Sequence, residues 1–266
     1  MGFLEEVAAL KRIEVAKRKE KVPLITLQRL ARRERSEKAD GKENHISFSA
    51  SLRQPGISLI AEIKRASPSR GLLAGNIDAG RMALCYYKAG ARAISVLTEE
   101  RFFGGSLDDL RCVRQCVTLP LLRKDFIIDP YQVWEAAANG ADAVLLMVRM
   151  LGPVLRDLLE VCCEAGIEAL VEVHDVSEVT TAVEAGAEII GVNCRDLDAL
   201  VLRPEKHLEA RAFLPPGILT VAESGIKDAP TVRRLAEAGY DGVLVGEILV
   251  TAPDPGAKIA ELIRGQ

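Results

Sequence analysis

The amino-acid sequence predicts an α/β fold, a (β/α)8 TIM barrel with an N-terminal helical extension. Three observations predict this class. Helices that end in glycine recur along the chain, each is followed directly by a strand, and these strands are apolar throughout. Strands buried on both faces are typical of parallel sheets, and their regular alternation with helices is typical of α/β folds.

The recurring pattern is a helix stop of the form Ala-Gly or Asn-Gly, followed by a run of Val, Ile, Leu and Ala. Glycine suits this stop because it adopts positive φ without a clash of a Cβ atom. The glycines of the five clearest copies are Gly90, Gly140, Gly166, Gly186 and Gly239. Spacings of roughly 20–50 residues are typical of repeated βα units.

The repeats can be placed in order along the chain. We predict strands at residues 58–64, 92–98, 120–124, 142–147, 168–173, 188–193, 218–223 and 241–246. Amphipathic helices follow at residues 78–89, 106–116, 130–139, 151–165, 177–185, 204–213, 228–238 and 256–264. No glycine-rich dinucleotide turn follows a strand, which favours a closed barrel over a doubly wound sheet. We therefore expect one domain over residues 1–266, with the extension at 1–50 and the barrel at 57–264.

The extension has apolar residues at positions 3, 4, 7, 10, 13 and 15, which is roughly a helical stripe. Two placements are consistent with it. The helix could close the bottom of the barrel, or it could cover part of the mouth where the active site of such a barrel lies. Periodicity alone does not choose between them.

Composition excludes several classes of partner. A net charge of −3 gives no electrostatic reason to expect nucleic acid or an anionic membrane. No apolar run approaches the roughly 20 residues of a membrane helix, and Glu5 and Glu6 stand where a secretory signal would carry positive charge. We expect a cytoplasmic protein. The six cysteines and three histidines match no zinc spacing, so we expect no metal.

Polar residues stand at the ends of most of the predicted strands, on strands that are otherwise apolar. In this fold the carboxyl ends of the strands carry the chemistry. Strand alternation places Glu62 and Lys64 on one face, and likewise Asn193 and Arg195. One charged residue at the end of one strand would indicate only a local ion pair. Polar residues at the same end of several strands favour an active site. The converging set is Glu62, Lys64, Lys124, Glu172, Asn193 and Glu223.

These residue types limit the chemistry. Lysines beside carboxylates suit proton transfer, and no Ser-His-Asp or Cys-His arrangement is evident at the strand ends. A Schiff base on Lys64 or Lys124 keeps an aldolase-like reaction as an alternative.

The loops after the seventh and eighth strands suggest a phosphate site. Barrel enzymes often bind phosphate there, and glycines let backbone N–H groups approach an anion. This chain has Ser224-Gly225 and Gly246-Glu247 in those loops, and the Glu247 side chain is expected to point away from the anion. Ser67 and Lys64 could add a hydroxyl and a charge. The alternative is that the glycines only shape tight turns.

Four apolar side chains are predicted near the same rim and could enclose a flat ligand or belong to the core. They are Phe103, Phe126, Leu145 and Leu197.

Taken together, the strand-end motifs closely resemble those of the indole-3-glycerol-phosphate synthase family, in the family's order and over residues 3–264. They are Glu62–Ser69 (EIKRASPS), Leu97–Glu99 (LTE) with Phe103, Leu122–Phe126 (LRKDF), Leu170–His174 (LVEVH), Gly191–Leu197 (GVNCRDL) and Val221–Ile226 (VAESGI). Two small departures are Cys194, where the family often has serine, and Val250, where methionine is common.

The resemblance implies a carboxy-lyase of tryptophan biosynthesis that works without a cofactor. The family closes the indole ring of 1-(2-carboxyphenylamino)-1-deoxyribulose 5-phosphate to give indole-3-glycerol phosphate, and releases CO₂ and water. Its pattern makes Lys124 the acid at the ribulose carbonyl and Glu172 the base. Lys64 would pair with the substrate carboxylate or phosphate, and it is a second candidate for the acid in dehydration. Other tryptophan-pathway enzymes are candidate partners.

The remaining roles come from the same resemblance. Glu62 would orient Lys64, Asn193 would hold a hydroxyl, and Arg195 would support the carboxylate network. Glu223 and Ser224 would complete the pocket, and the four apolar side chains named above would enclose the anthranilate ring.

Two other functions stay open on the residues alone. Phosphoribosylanthranilate isomerase shares the fold but would carry a Cys/Asp pair on the first and fifth strands, where this chain has Glu62, Lys64 and Glu172. A non-catalytic barrel that binds a phosphorylated ligand or serves a pathway complex is the other. The full acid–base set argues against it.

Overall fold

The structure, a computed structural model, describes residues 2–39, 46–196 and 199–264. Within them eight parallel strands close into a barrel, which confirms the predicted fold. The strand β1 pairs with both β2 and β8, and these two ladders complete the closure. The strands are β1 (Ser58–Ile63), β2 (Ala93–Leu97), β3 (Leu121–Lys124), β4 (Ala143–Met147), β5 (Glu168–Val173), β6 (Ile189–Asn193), β7 (Leu219–Glu223) and β8 (Gly242–Val245).

Alternation along the strands divides the apolar side chains into two buried layers. In β1, Leu59, Ala61 and Ile63 pack outward against the helices. Ile60 points inward, and the barrel interior continues with residues such as Leu170 of β5. Polar strand-end residues therefore face the interior only where they share the parity of the inward set, because successive side chains alternate between faces.

The outer helices follow the strands as predicted, and most begin at an acidic or hydroxyl cap that accepts a backbone N–H group. They are α4 (Ala79–Lys88), α6 (Leu107–Cys116), α7 (Pro130–Ala138), α9 (Leu155–Ala165), α10 (Val176–Ala185), α11 (Glu205–Arg211), α12 (Ala229–Glu237) and α14 (Pro255–Leu262). In the part of the chain that is described, no helix is long and apolar enough to cross a membrane.

The N-terminal extension reaches both ends of the barrel. It consists of α1 (Phe3–Lys21), α2 (Leu24–Ala39) and α3 (Phe48–Leu52). The ring of Phe3 packs edge-on against Phe102 and Phe126 at the mouth, with ring centroids 5.1 and 6.3 Å away. Phe48 and Leu52 of α3 join the interior layer at the opposite end, where Leu52 packs under Gly242, the first residue of β8. The start of α1 therefore lies at the mouth, while α3 closes the bottom of the barrel. Both expected placements are observed, each for a different segment.

Short elements ring the mouth. The loop after β1 contains a hairpin of Ala66–Ser67 with Gly71–Leu72. Single-turn helices follow β2, β4 and β8, and they are α5 (Glu100–Phe103), α8 (Val148–Leu151) with the 3₁₀ turn Gly152–Val154, and α13 (Glu247–Val250). These elements form the walls of the cavity described next.

Candidate active site

A cavity of about 370 Å³ opens at the carboxyl ends of the strands. Its size lies in the range of small-molecule sites. Most of the residues predicted from the sequence line it: Glu62, Lys64, Ser67, Phe103, Lys124, Phe126, Leu145, Glu172, Asn193, Arg195, Ser224, Gly225, Gly246 and Glu247. Glu223 is fully buried beneath the cavity and touches Lys124. Leu197, also predicted, lies outside the described residues.

Lys124 stands at the centre of three carboxylates. Its Nζ lies 2.5 Å from Glu223 Oε2, 3.7 Å from Glu172 Oε2 and 3.8 Å from Glu62 Oε2. The other oxygen of Glu62 lies 2.8 Å from Lys64 Nζ. Glu62 therefore links the two lysines, and the strands β1, β3, β5 and β7 each contribute to one cluster.

Burial and charge shift the pKa values of this cluster in different directions. Burial by itself would lower the pKa of Lys124, but Glu223, Glu62 and Glu172 outweigh it and raise that pKa well above its usual value. Burial raises the pKa of Glu223 to about 7; Lys124 opposes this rise and Glu172 adds to it. The lysine is thus an ammonium ion, and Glu223 is the carboxyl that protonates most readily near neutral pH.

Glu172 is held as a carboxylate despite its burial. Burial would raise its pKa, but contacts with His174, Lys124 and Asn193 lower it to about 2. Asn193 keeps a fixed orientation, because its Oδ1 accepts the backbone N–H of Arg195 at 3.0 Å. Its amide nitrogen is therefore the group that faces Glu172.

Two glycines make room for these carboxylates. A Cβ atom on Gly191 in β6 would overlap Oε1 of Glu223, and a Cβ atom on Gly246 would overlap Oε1 of Glu62. Any larger residue at either position would push a carboxylate away from the lysines. Glycine is thus required at both positions because a carboxylate oxygen lies close to its Cα atom. The backbone itself does not require glycine there, since φ is not positive at either position.

The loops after β7 and β8 form one end of the cavity. Ser224 and Gly225 both have positive φ, at 65° and 71°, a conformation that is strained for serine. This pair turns the chain sharply at the end of β7. Lys227 and Arg70 also line this region, and Arg70 Nη2 lies 3.4 Å from Glu247 Oε1. The Glu247 side chain therefore lines the cavity beside a guanidinium instead of pointing away from it.

Arg195 is placed differently from the expectation. Its guanidinium donates to Ser69 Oγ at 3.2 Å and to the carbonyl oxygen of Leu200 at 3.4 Å. It lines the cavity beside the hairpin that follows β1, and among the residues that the structure describes the guanidinium has no hydrogen bond or ion pair with Glu62, Glu172 or Glu223. The Arg195 side chain therefore makes no contact with those carboxylates, and its backbone N–H acts on Glu172 only through Asn193.

Aromatic and aliphatic side chains line the same cavity as the lysines. The rings of Phe103 and Phe126 lie 6.2 Å apart at a 50° tilt. Glu99, almost fully buried, accepts the backbone N–H groups of residues 101–103 and so fixes the turn that carries Phe103. Leu145 of β4 also lines the cavity.

Sequence reasoning missed several cavity residues. Leu97, Met147 and Leu244 line it, and their position at strand ends with inward parity is a signal that could have found them. Ser69, Arg70 and Lys227 stand on loops whose course the sequence does not specify. His174 is buried directly behind Glu172. Among the described residues, no group of three or more His, Cys, Asp or Glu side chains is placed to hold a metal ion.

Comparison with known proteins gives a consistent answer. The family model described as indole-3-glycerol phosphate synthase matches residues 4–262. A protein of that name from Parafrankia sp. is 46% identical over 99% of this chain and 96% of its own. One from Carboxydothermus hydrogenoformans is 42% identical over 98% and 99%, and one from Mycolicibacterium smegmatis is 50% identical over 85% and 84%.

Among solved structures, a thiamine phosphate pyrophosphorylase from Pyrococcus furiosus superposes with a TM-score of 0.57 at 20% identity. The match covers 77% of this chain and 93% of that one. At this identity the likeness shows the barrel fold alone.

Proposed function

Because the chain belongs to the indole-3-glycerol phosphate synthase family, we propose that the cavity performs this family's reaction with Lys124 as general acid and Glu172 as general base. The chain is a carboxy-lyase of tryptophan biosynthesis, and its substrate is a phosphorylated small molecule. The observation that carries the role assignment is the position of the Lys124 ammonium group among three buried carboxylates.

Ring closure joins the aromatic carbon that bears the carboxylate to the ketone carbon of the ribulose. The ketone oxygen gains a proton as the new bond forms, and Lys124 is the donor in our assignment. Its carboxylate neighbours keep it protonated until a substrate oxygen reaches it. The carboxylate then leaves as CO₂, and the electrons of the broken bond restore the aromatic ring.

Dehydration needs an acid and a base. The hydroxyl made in the first step leaves as water once it is protonated, and Lys64 is the second candidate for this proton because Glu62 links it to the same cluster. Glu172 takes the proton that the new five-membered ring must lose. Its pKa of about 2 means that it is a carboxylate at neutral pH, which is the form that accepts a proton.

The two ends of the cavity suit the two ends of the substrate. The phosphate would lie against the turns at Ser224-Gly225 and Gly246, with the cation of Lys227 nearby. Ser67 at the β1 hairpin could add a hydroxyl donor. Phe103, Phe126 and Leu145 would enclose the anthranilate ring, which is flat and apolar on both faces.

The experiment is an indole-fluorescence assay with the carboxyphenylamino-deoxyribulose phosphate. Lys124→Ala and Glu172→Gln should each lower kcat by about 100-fold or more, since positioned proton transfer contributes on this scale. Lys17→Ala, at an exposed position on α1, is the control and should keep the full rate. Circular dichroism of each variant reports whether the barrel still folds. A folded Lys124→Ala or Glu172→Gln enzyme with a near-normal rate would refute that residue's role.

A further inference from the structure

His174 lies outside the cavity wall but directly behind one of its carboxylates. It follows Glu172 by two residues at the end of β5, and its side chain is inaccessible to solvent. Its Nε2 lies 3.2 Å from Glu172 Oε1, and its Nδ1 lies 3.2 Å from Glu178 Oε2. The imidazole therefore bridges a carboxylate of the site and a carboxylate on α10.

Glu178 is itself anchored. One of its oxygens accepts the backbone N–H of His174 at 2.7 Å, and the other lies 2.8 Å from Arg149 Nε of α8. A chain of contacts thus runs from Arg149 through Glu178 and His174 to Glu172. Each member has its position restrained on two sides, which is what a rigid support requires.

The charges around the imidazole favour its protonated form. Burial would lower the pKa of His174, but Glu172 and Glu178 raise it to about 9. An imidazolium donates from both ring nitrogens, which matches a carboxylate on each side. The charged groups near it are Glu172 on β5, Asp175 and Glu178 at the start of α10, Arg149 on α8 and Lys206 on α11, whose Nζ donates to the His174 carbonyl oxygen at 2.9 Å.

We propose that His174 is a positioning residue for the reaction: it holds Glu172 by Oε1, so that Oε2 faces Lys124 and the substrate as an ionised base. The inference rests on the base role proposed for Glu172. The geometry favours it over a purely structural ion pair in one respect. His174 Nε2 lies beside Oε1 of Glu172, whereas Lys124 Nζ lies beside Oε2. The two cations therefore restrain the two carboxylate oxygens separately, and the contact with His174 is the main influence that lowers the pKa of Glu172.

A double-mutant cycle separates the two roles. In the otherwise unchanged enzyme, His174→Asn should lower kcat by about tenfold or more with KM nearly unchanged, because a general base must be held within hydrogen-bond reach of the proton that it accepts. In a Glu172→Gln background the same substitution should lower the remaining kcat by less than about twofold, since it acts only through that carboxylate. An equal loss in both backgrounds would overturn the proposal.

His174→Gln is the conservative variant. The glutamine amide nitrogen can occupy the place of Nε2, whereas asparagine reaches only as far as Nδ1. We expect His174→Gln to recover part of the kcat that His174→Asn loses. The acid limb of the kcat profile should also move to higher pH in both variants, because loss of the cation raises the pKa of Glu172. An unmoved acid limb would contradict the proposal.

Arg114→Gln supplies the matched control. Arg114 Nη1 pairs with Asp142 Oδ2 at 2.9 Å, and both side chains are largely buried at the other end of the barrel. Its loss should lower the melting temperature and leave kcat and its pH profile unchanged in either background. A normal rate for Glu172→Gln alone would refute the proposed base and this inference with it. A Glu172→Gln enzyme with a strongly reduced but measurable kcat, in which His174→Asn causes the same further loss as in the unsubstituted enzyme, would refute the inference alone.

Discussion

At the residue scale, the site is a balance of buried charge. Three carboxylates surround Lys124, and Glu62 also holds Lys64. Burying a carboxylate without a partner costs several kcal/mol, so each carboxylate depends on a cation close by. The positions of the carboxylates are therefore restricted, and small residues beside them matter as much as the charged ones.

Gly191 illustrates this dependence. Gly191→Ala should lower kcat by about tenfold or more, because a Cβ atom there displaces Glu223 from Lys124 and small displacements at a catalytic centre are costly. Indole fluorescence measures the rate, and thermal unfolding measures the accompanying loss of stability.

The control is Gly242→Ala, the glycine that begins β8. A Cβ atom there would come within 2.9 Å of Leu52 Cδ2, an apolar side chain at the bottom of the barrel. This variant should lose stability and keep its kcat. Equal losses of kcat in the two variants would show that strand distortion, and not the Glu223 carboxylate, is responsible.

At the element scale, α1 is fastened to the mouth by a buried lysine. Lys11 Nζ lies 3.0 Å from Asp125 Oδ1, 3.0 Å from Glu14 Oε2 and 3.7 Å from Glu99 Oε1. Burial would lower the pKa of Lys11, but Asp125 and Glu14 outweigh it and raise that pKa. Asp125 directly follows Lys124, and Glu99 caps the turn of Phe103, so α1 braces two elements of the site.

Lys11→Met should therefore be strongly destabilising. The substitution removes the ammonium group that lies beside the buried carboxylates of Asp125 and Glu99. Breaking a buried ion pair in this way lowers the free energy of unfolding by about 3–5 kcal/mol. Urea unfolding measures the change in the free energy of unfolding.

Lys17→Met on the same helix is the comparison, because Lys17 is exposed. Its effect should stay within about 0.5 kcal/mol. Similar values for the two variants would mean that the contacts of Lys11 add nothing to stability.

At the scale of the whole molecule, the buried carboxylates set the response to acid. Asp125 is held by Arg123, Lys11 and Thr98, which together outweigh burial and lower its pKa to about 2. A carboxyl whose pKa is depressed on folding stabilises the folded state above its unfolded pKa of about 3.9, and this contribution is lost as pH falls toward the folded value.

Asp125→Asn tests this expectation. The variant should be less stable than the unsubstituted chain by about 3 kcal/mol at pH 7, the value that follows from a shift of about two pKa units at about 1.4 kcal/mol each. The difference should shrink as pH falls from about 4 toward 2. Urea unfolding at several pH values measures it. Asp157→Asn, at an exposed position of α9, is the control and should differ by less than about 0.5 kcal/mol at every pH. A difference in stability between Asp125→Asn and the unsubstituted chain that does not change with pH would contradict the lowered pKa of Asp125.

The sequence by itself determined the barrel and the rim. Apolar runs and glycine stops are local signals, so the eight strands lie within one residue of their predicted bounds. Side chains alternate between the two faces of a strand, which is also a local rule. This rule was sufficient to predict that four side chains face one cavity: Glu62, Lys124, Glu172 and Glu223. The family's motifs then supplied the reaction.

The tertiary structure decided which of these groups meet. Lys124 and Glu223 are 99 residues apart, and no local pattern indicates that they pair more closely than Lys124 and Glu62. The Arg195 side chain contacts the hairpin after β1, and Lys11 forms an ion pair with Asp125. The sequence does not indicate either contact, because loop paths and helix docking depend on contacts across the whole chain. His174 became a support for Glu172 for the same reason: its role is set by Glu178 and Arg149, which α10 and α8 bring to it only when the barrel is closed.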